Sequence, residues 1–185
     1  MKNTIISVIG LGYIGLPTAA LLASHGYCVL GIDVNKQVVS SINQGKIHIV
    51  EPDLDAFVRS AVSAGRLVAY TVPKPSDVYI ICVPTPFQED KGIPKPNINF
   101  IVTAIKSFSH FIKPGDLIIL ESTSPVGTTE KIAEIIFNKT GFNSNDIHIA
   151  YCPERVIPGN ILYELVENDR VIGGYTPQAS EQARK

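Results

Sequence analysis

The sequence Gly10-Leu11-Gly12-Tyr13-Ile14-Gly15 lies between two stretches of opposite character. Before it, Thr4–Ile9 is a short run rich in β-branched residues, which is typical of a strand buried on both faces. After it, Ile14–His25 is rich in Ala and Leu and favours a helix. A G-x-G-x-x-G turn between a strand and a helix is the context that phosphate binding requires. The sequence therefore predicts a strand, a tight turn and a helix in that order.

The three glycines of this turn have different uses. Gly10 permits the tight turn, and Gly12 lets a pyrophosphate approach the backbone without a Cβ in the way. Gly15 lets the helix pack closely against the sheet. The backbone N–H groups around Tyr13 and Ile14 then point toward the anion, assisted by the helix dipole. These residues form a candidate phosphate cradle.

An acidic residue stands where the second strand of such a unit ends. Asp33 follows the apolar run Val29–Ile32 and comes 18 residues after Gly15. Its carboxylate can accept hydrogen bonds from both hydroxyls of an adenosine ribose and would repel the extra phosphate of NADP, so the expected cofactor is NAD. Lys36, one helical turn further on, could soften that repulsion.

Two other interpretations of this region stay open at this point. Asp33 could be a helix N-cap beside an incidental glycine turn. S-adenosylmethionine-dependent methyltransferases share the same strand-turn-helix geometry and are the main competing class for the ligand.

Composition excludes several classes of protein. The chain has 185 residues, of which 45% are hydrophobic and 18% are charged, so it can bury a sizeable core. A net charge of −1 supplies no basic field for nucleic acid. No apolar run reaches the ~20 residues that cross a bilayer. The apolar run near the N-terminus meets glycine too soon for a signal peptide. We expect no nucleic-acid partner and no membrane association.

The cysteines and histidines indicate neither a disulfide framework nor a zinc site. Cys28, Cys82 and Cys152 are widely spaced and odd in number, which favours a reducing, cytoplasmic setting. Cys28 and Cys82 fall in predicted buried strands, where thiols are usually inert. None of the four histidines has ligand spacing with a cysteine or another histidine, so no metal is expected.

Strand and helix patterns alternate along the whole chain. The predicted strands are Thr4–Ile9, Tyr27–Ile32, Leu67–Tyr70, Val78–Val83, Leu117–Leu120, Ile147–Tyr151 and a short Val171–Gly173. The predicted helices are Ile14–His25, Asn35–Asn43, Asp53–Ala64, Asn97–Ile112, Thr128–Asn138 and one beginning at Thr176. A loop is predicted over Pro84–Pro96. This order predicts an α/β fold, a doubly wound Rossmann-type parallel sheet with helices on both faces. Its ligand crevice lies at the carboxyl ends of the strands.

Four further strings carry a family resemblance. They are IHIVEPDL at Ile47–Leu54, CVPTPF at Cys82–Phe87, ESTSPVGTTEK at Glu121–Lys131 and YCPERVIPGN at Tyr151–Asn160. Together with GLGYIGLPTAA and NDRVIGG, they resemble the UDP-glucose/GDP-mannose dehydrogenase family over nearly the whole chain. The resemblance implies oxidation of the sugar 6-hydroxyl of a nucleotide sugar to a carboxylate, with two NAD⁺ consumed per turnover.

The resemblance also implies which residues meet the cofactor. Besides Tyr13, Ile14 and Asp33, it places Thr85 of the VPTP turn near the ribose and Thr129 of the GTT segment at the cofactor. The residues alone leave Thr85 two interpretations. It is the only side-chain hydroxyl in a rigid turn at the end of a strand, and threonine also commonly bonds the local backbone of turns.

The resemblance assigns catalytic and substrate roles to residues after two later strands. Thr123 matches a threonine that positions the catalytic water, although a helix cap is the ordinary alternative. Glu154 matches a general acid/base. Arg155 and Val156 fall where the family contacts the nucleotide sugar, while a surface salt bridge is the alternative for Arg155. Pro158 stands where UDP-glucose dehydrogenases tend to carry a second glutamate, which favours UDP-N-acetyl-D-mannosamine or a related UDP-sugar as substrate.

Some expected parts of the family's machinery have no match here. The route from aldehyde to acid needs a nucleophilic cysteine, and the family's cysteine and catalytic lysine lie beyond Lys185. We therefore expect residues 1–185 to be a truncated NAD-binding domain, inactive alone, without the central dimerisation and C-terminal UDP-sugar domains of a homodimeric parent. The alternatives are an NAD-sensing regulatory module and a methyltransferase. In both of these, the CPER and STSPVG strings have no role.

Overall fold

The structure is a computed structural model that describes residues 4–90 and 92–185. The strands in chain order are β1 Ile5–Ile9, β2 Cys28–Ile32, β3 Leu67–Tyr70, β4 Val78–Ile81, β5 Phe87–Asp90, β6 Ile93–Pro96, β7 Leu117–Leu120, β8 His148–Tyr151 and β9 Gly173–Gly174. The helices are α1 Gly15–Ser24, α2 Lys36–Asn43, α3 Leu54–Ser63, α4 Asn99–Phe108, α5 Thr128–Thr140, α6 Ile161–Glu167 and α7 Pro177–Ala183.

Seven strands form one sheet in the order β3-β2-β1-β4-β7-β8-β9. Strand β1 pairs in parallel with β2 on one side and with β4 on the other, so the chain reverses its direction of winding between β1 and β4. Only β9 is antiparallel among the strands of this sheet, where it pairs with β8 at the edge. The prediction of a doubly wound Rossmann-type sheet is confirmed. Its switch point lies between β1 and β4.

Helices cover both faces of the sheet, as the sequence predicts. Val8 packs with residues of α1, α2 and α3, whereas its neighbour Ile9 packs with residues of α4 and α5. Successive side chains of a strand point to opposite faces, so the two neighbours belong to two separate cores. Because both faces are covered, β1 has to be apolar at consecutive positions, which explains its β-branched run. Among the described residues, no helix is both long and apolar enough to cross a membrane.

The structure differs from the predicted elements most clearly in four places. The loop predicted over Pro84–Pro96 contains the antiparallel hairpin of β5 and β6, apart from residue 91, which lies outside the described residues. Helix α4 ends at Phe108 and gives way to a 3₁₀ turn, Ser109–Phe111. Helix α6 was not predicted, because its seven residues are too few for an apolar period to emerge. The last strand covers only Gly173–Gly174, so it begins two positions later and ends one position later than expected.

Tyr79 generates a prediction about the stability of the core. Its side chain is fully buried, its ring stacks on Phe108 at 4.4 Å, and its hydroxyl accepts a hydrogen bond of 2.9 Å from the Ser76 N–H. Tyr79→Phe keeps the stacking but leaves that buried N–H without an acceptor. We expect a loss of about 1–3 kcal/mol in the free energy of unfolding, measured by urea denaturation.

The matched control is Tyr163→Phe, because Tyr163 is 64% exposed on α6. A surface change of this kind is expected to stay within about 0.5 kcal/mol of the unmodified chain. Equal stability of the two variants would contradict the role given to the Tyr79 hydroxyl.

Candidate functional site

A crevice of about 330 Å³ opens at the carboxyl ends of the central strands. Its position follows from the strand register, which aligns Ile9 with Ile32 on one side and Ile81 on the other, and Ile81 with Leu120. The residues that follow each strand therefore meet at one edge of the sheet. The lining residues come from five such segments: Gly10–Ile14, Asp33, Cys82–Thr85, Glu121–Thr123 and Glu154.

The glycine turn has the geometry of a phosphate cradle. Gly10 has φ +91°, and its N–H donates to the Ile32 carbonyl at 2.8 Å, which fixes the turn against β2. A Cβ on Gly15 would collide with the Gly10 carbonyl oxygen, so only glycine allows α1 this close to the turn. A Cβ on Gly12 would meet no protein atom within 4 Å and would occupy the crevice itself.

The start of α1 supplies the amides that an anion needs. Ile14 precedes the helix and no side chain caps the first turn, while Tyr13 and Ile14 both line the crevice. Helix N-termini without a side-chain acceptor present free N–H groups and a partial positive charge, which suits a pyrophosphate. The open side of Gly12 and these amides together fit the diphosphate of NAD.

Asp33 connects the end of β2 to the glycine turn. Its Oδ2 accepts a hydrogen bond from the Leu11 N–H at 3.0 Å, and its Oδ1 accepts one from the Asn35 N–H at 2.9 Å. Asn35, not Asp33, caps α2 through its bond with the Gln37 N–H at 2.9 Å. Each carboxylate oxygen retains a further lone pair for a ribose hydroxyl. Asp33 is therefore placed to accept ribose hydroxyls and does not act as the helix cap.

Three of the other predicted residues share this crevice with the glycine turn. Thr85 lies in the turn after β4, Thr123 in the turn after β7, and Glu154 in the turn after β8. The residue that precedes α5 is Gly127, so Thr123 does not cap that helix. Glu154 accepts a hydrogen bond of 3.2 Å from the Val156 N–H through its Oε2.

The turn after β7 is held by the serine next to Thr123. The Ser122 hydroxyl lies 3.1 Å from the Ile81 carbonyl and 2.8 Å from the Val83 carbonyl. These contacts tie the ends of β4 and β7 together. They leave Thr123, which is exposed, at the mouth of the crevice.

The remaining predicted residues lie outside the crevice lining. Lys36 is exposed on α2, and Thr129 borders a separate cavity of about 370 Å³ with Gly127 and Tyr175. Arg155 is exposed, and its carbonyl accepts a hydrogen bond of 2.6 Å from the Asn168 side chain. Val156 is half-buried beside it. The structure thus gathers the phosphate, ribose and acid/base candidates but not these four.

A buried ionic network behind the crevice was not predicted. Glu121 is 1% exposed, and its Oε1 accepts a hydrogen bond of 2.6 Å from Arg170. Its Oε2 accepts bonds from the Cys82 thiol at 3.1 Å and from the Thr18 hydroxyl at 3.3 Å. Glu121 begins the quoted ESTSPVGTTEK string, but its partners are distant in sequence, so no local pattern indicates the network.

The network explains why the Cys82 thiol stays protonated. Burial, and then the negative charge of Glu121, raise the pKa of Cys82 well above its usual range. The thiol therefore stays protonated at neutral pH and donates to Glu121. A protonated, buried thiol is a poor nucleophile. This supports the interpretation of Cys82 as an inert cysteine, although it follows β4 and lines the crevice.

A larger groove of about 670 Å³ lies at the opposite ends of the strands. It is lined mainly by apolar residues of the sheet, among them Ile6, Val78 and Leu117 near the amino ends of β1, β4 and β7. The smaller crevice is the better candidate, because it combines helix N–H groups with convergent carboxylates and hydroxyls at the switch point of the sheet.

Comparison with known proteins shows which protein family the chain belongs to. Residues 4–185 match the UDP-glucose/GDP-mannose dehydrogenase family, NAD binding domain. The chain belongs to this family, whose matched domain binds NAD.

Several similar relatives are named for N-acetylated sugar nucleotides. The chain is 53% identical to the UDP-N-acetyl-D-mannosamine dehydrogenase of Yersinia pestis, over 99% of this chain and 45% of the relative. It is 52% identical to the NDP-N-acetyl-D-galactosaminuronic acid dehydrogenase of Ralstonia nicotianae, over 97% of this chain and 44% of the relative. The solved UDP-D-ManNAc dehydrogenase of Pyrococcus horikoshii superposes with a TM-score of 0.93 at 43% identity, over 97% of this chain and 43% of that chain. The chain therefore spans less than half the length of these relatives.

Gly12 and Gly15, the second and third glycines of the turn, give a pair of predictions. Gly12→Ala is expected to leave the free energy of unfolding within about 0.5 kcal/mol, because its Cβ meets no protein atom. The same Cβ fills the cradle, so NAD affinity measured by calorimetry is expected to fall by about tenfold or more.

Gly15→Ala should behave in the opposite way in the stability measurement. Its Cβ collides with the Gly10 carbonyl, and we expect a loss of about 1–3 kcal/mol in the free energy of unfolding. If Gly12→Ala binds NAD as tightly as the unmodified chain, the pyrophosphate does not lie over Gly12.

Proposed function

We propose that this chain is the NAD-binding part of a nucleotide-sugar 6-dehydrogenase that oxidises UDP-N-acetyl-D-mannosamine or a related UDP-sugar. The observation that carries the proposal is the common crevice of the glycine turn, Asp33, Thr123 and Glu154. A phosphate cradle, a ribose acceptor, a hydroxyl and a carboxylate at one switch point are what a two-step oxidation with hydrolysis requires.

The cofactor half of the site divides its tasks among a few groups. The bound cofactor supplies a hydride acceptor. The amides around Tyr13 and Ile14 bind its pyrophosphate, and Asp33 holds its adenosine ribose. In this proposal Thr85 approaches the second ribose, and Thr129 and Lys36 reach the cofactor from α5 and α2. Their positions outside the crevice lining require these two side chains to move or the cofactor to extend past the crevice.

The substrate half of the site handles water and protons. The exposed hydroxyl of Thr123 orients the water that hydrolyses the acyl intermediate. Glu154, at the same edge of the sheet, exchanges the proton with that water. Arg155 and Val156 contact the nucleotide sugar, and the guanidinium pairs with a phosphate. In this proposal the thiol that forms the acyl intermediate and the catalytic lysine come from a region that follows residues 1–185.

The proposal extends to the assembly and location of the whole enzyme. We propose a homodimer held by a central helical region that follows this domain, located in the cytoplasm. A region beyond this domain is supported by the share of the relatives that the chain covers, 44% and 45% for the two named above. The family match names an NAD binding domain, which disfavours the methyltransferase alternative. The other alternative, an NAD-sensing regulatory module, differs from the proposal because such a module would oxidise no nucleotide sugar.

The choice among sugars rests on two observations. Relatives at 53% and 52% identity are named for N-acetylmannosamine and for N-acetylgalactosaminuronic acid, so both sugars are candidates. Pro158 removes the second glutamate that the resemblance associates with UDP-glucose. The solved mannosamine dehydrogenase from Pyrococcus horikoshii, at 43% identity, favours the mannosamine nucleotide.

The role of Asp33 can be tested on this chain. Asp33→Ala removes the ribose acceptor and the bond to the Leu11 N–H, so NAD affinity measured by calorimetry is expected to fall by about ten- to a hundredfold. Discrimination against NADP should fall with it. Asp55→Ala, an exposed carboxylate on α3 paired with Arg59, is the control and should leave both affinities unchanged. Unchanged NAD affinity in Asp33→Ala would remove Asp33 from the site.

The proposed reaction can be tested by absorbance at 340 nm with the full-length enzyme. We expect two NADH per UDP-N-acetyl-D-mannosamine, a lower rate with the N-acetylgalactosamine nucleotide, and none with UDP-glucose. Glu154→Gln should lower kcat by about 10²- to 10⁴-fold, the range for loss of a general acid/base. Residues 1–185 alone should bind NAD without forming NADH. NADH formation by this chain alone would contradict the division of the catalytic residues.

A further inference from the structure

The segment Ile47–Leu54 holds a buried carboxylate that the proposed chemistry does not use. Glu51 is 5% exposed, whereas its neighbour Val50 is 86% exposed. Asp53 has φ 62°, the only positive φ outside glycine among residues 4–90 and 92–185. Leu54, which follows, is fully buried. The turn between them sends Glu51 and Leu54 inward together, and it accepts an unfavourable backbone conformation to do so.

The carboxylate of Glu51 binds a distant turn through both of its oxygens. Its Oε2 accepts a hydrogen bond of 2.8 Å from the Gly159 N–H, and its Oε1 accepts one of 2.6 Å from the Ile161 N–H. A buried carboxylate is costly unless it is hydrogen-bonded, and these two charge-assisted bonds meet that requirement. The bonds join residues more than one hundred positions apart in the sequence.

The turn that Glu51 holds has no cap of its own. Ile161 is the first residue of α6, and the side chain of Asn160 before it makes no cap hydrogen bond. Gly159 has φ +95°, so the turn reverses the chain sharply. Glu51, from a distant part of the chain, thus accepts the hydrogen bonds of backbone N–H groups that a local capping residue would otherwise accept.

The same turn ends the loop that carries the substrate candidates. Residues 152–160 lead from the end of β8 to α6, and their part 154–160 contains Glu154, Arg155 and Val156. Elsewhere the loop is fixed by the Ile157 N–H, which donates to Glu164 at 2.8 Å, and by the Arg155 carbonyl bond to Asn168. Of these three supports, only Glu51 lies outside residues 154–168.

We infer that Glu51 is a positioning residue that fixes the loop 154–160 and thereby sets where Glu154 and Arg155 meet the nucleotide sugar. The inference rests on the proposed function. Glu51 itself does not line the crevice, so it acts through the loop and does not contact the cofactor. It gives the IHIVEPDL string a role, which is to clamp the loop that carries Glu154 and Arg155 of the CPER string.

The test compares Glu51→Gln with the unmodified protein in two measurements. Glutamine has nearly the same shape but turns an NH₂ group toward one of the two backbone N–H groups. Amide hydrogen exchange of the peptide covering 157–162 in this chain is expected to accelerate by about tenfold or more, as for loss of a hydrogen bond to a charged acceptor. In the full-length enzyme, kcat/KM for the nucleotide sugar should fall by about tenfold while KM for NAD stays within about twofold.

Two further variants separate positioning from general destabilisation. Asp55→Asn removes a nearby exposed carboxylate and should change neither measurement. Glu51→Asp keeps both acceptor oxygens on a shorter side chain and should fall between the unmodified protein and Glu51→Gln in both.

Three outcomes would overturn the inference. They are unchanged exchange of the 157–162 peptide in Glu51→Gln, faster exchange without any change in kcat/KM, and an equal loss for NAD and for the nucleotide sugar. Failure of the proposed function looks different, because the unmodified enzyme would then bind NAD and oxidise none of the nucleotide sugars. In that case the exchange result alone decides whether Glu51 fixes the loop.

Discussion

The close approach of α1 to the end of β1 governs the rest of the site. Gly15 lies against the backbone of Gly10, and Gly10 in turn lies against the carbonyl of Cys82 at the end of β4. Three backbone segments therefore meet with no room for a Cβ between them. This contact brings the N-terminus of α1 to the switch point of the sheet, where its free amides face the crevice. A bulkier helix start would move the amides away from the phosphate and open the crevice to water.

Around this contact, the half-buried Asp33 and the buried Glu121 and Glu51 hold the turns in place. Asp33 binds the Leu11 N–H, Glu121 binds Thr18, Cys82 and Arg170, and Glu51 binds the turn before α6. Each one connects segments that are distant in sequence, and each holds a turn. Buried, hydrogen-bonded carboxylates such as Glu121 and Glu51 fix geometry more strongly than isolated surface pairs do. The crevice is therefore largely preorganised for its ligand.

The sequence predicts those features that depend on neighbours along the chain. The glycine turn, Asp33 and the alternating strands each have a local pattern, and the structure has all three. The hairpin of β5 and β6 was missed because its strands are short and rich in proline and charged residues, a composition that is typical of a loop. Helix α6 and the Glu121–Arg170 pair depend on contacts across the fold. No local pattern encodes such contacts. The family resemblance pointed to the strings that contain Glu121 and Arg170, but to none that contains α6.

The two halves of the crevice are built in different ways, and this difference bears on function. The cofactor half consists of backbone amides and a carboxylate tied to the backbone on both oxygens, so its shape hardly depends on side-chain rotamers. The proposed substrate side consists of the exposed Thr123 at the mouth of the crevice and the exposed Arg155 outside its lining, on turns held by Ser122 and by Glu51. Exposed groups on fixed turns can adapt to a ligand without moving the sheet. In the proposed function, discrimination between sugars would then reside in a few side chains and leave the cofactor geometry intact.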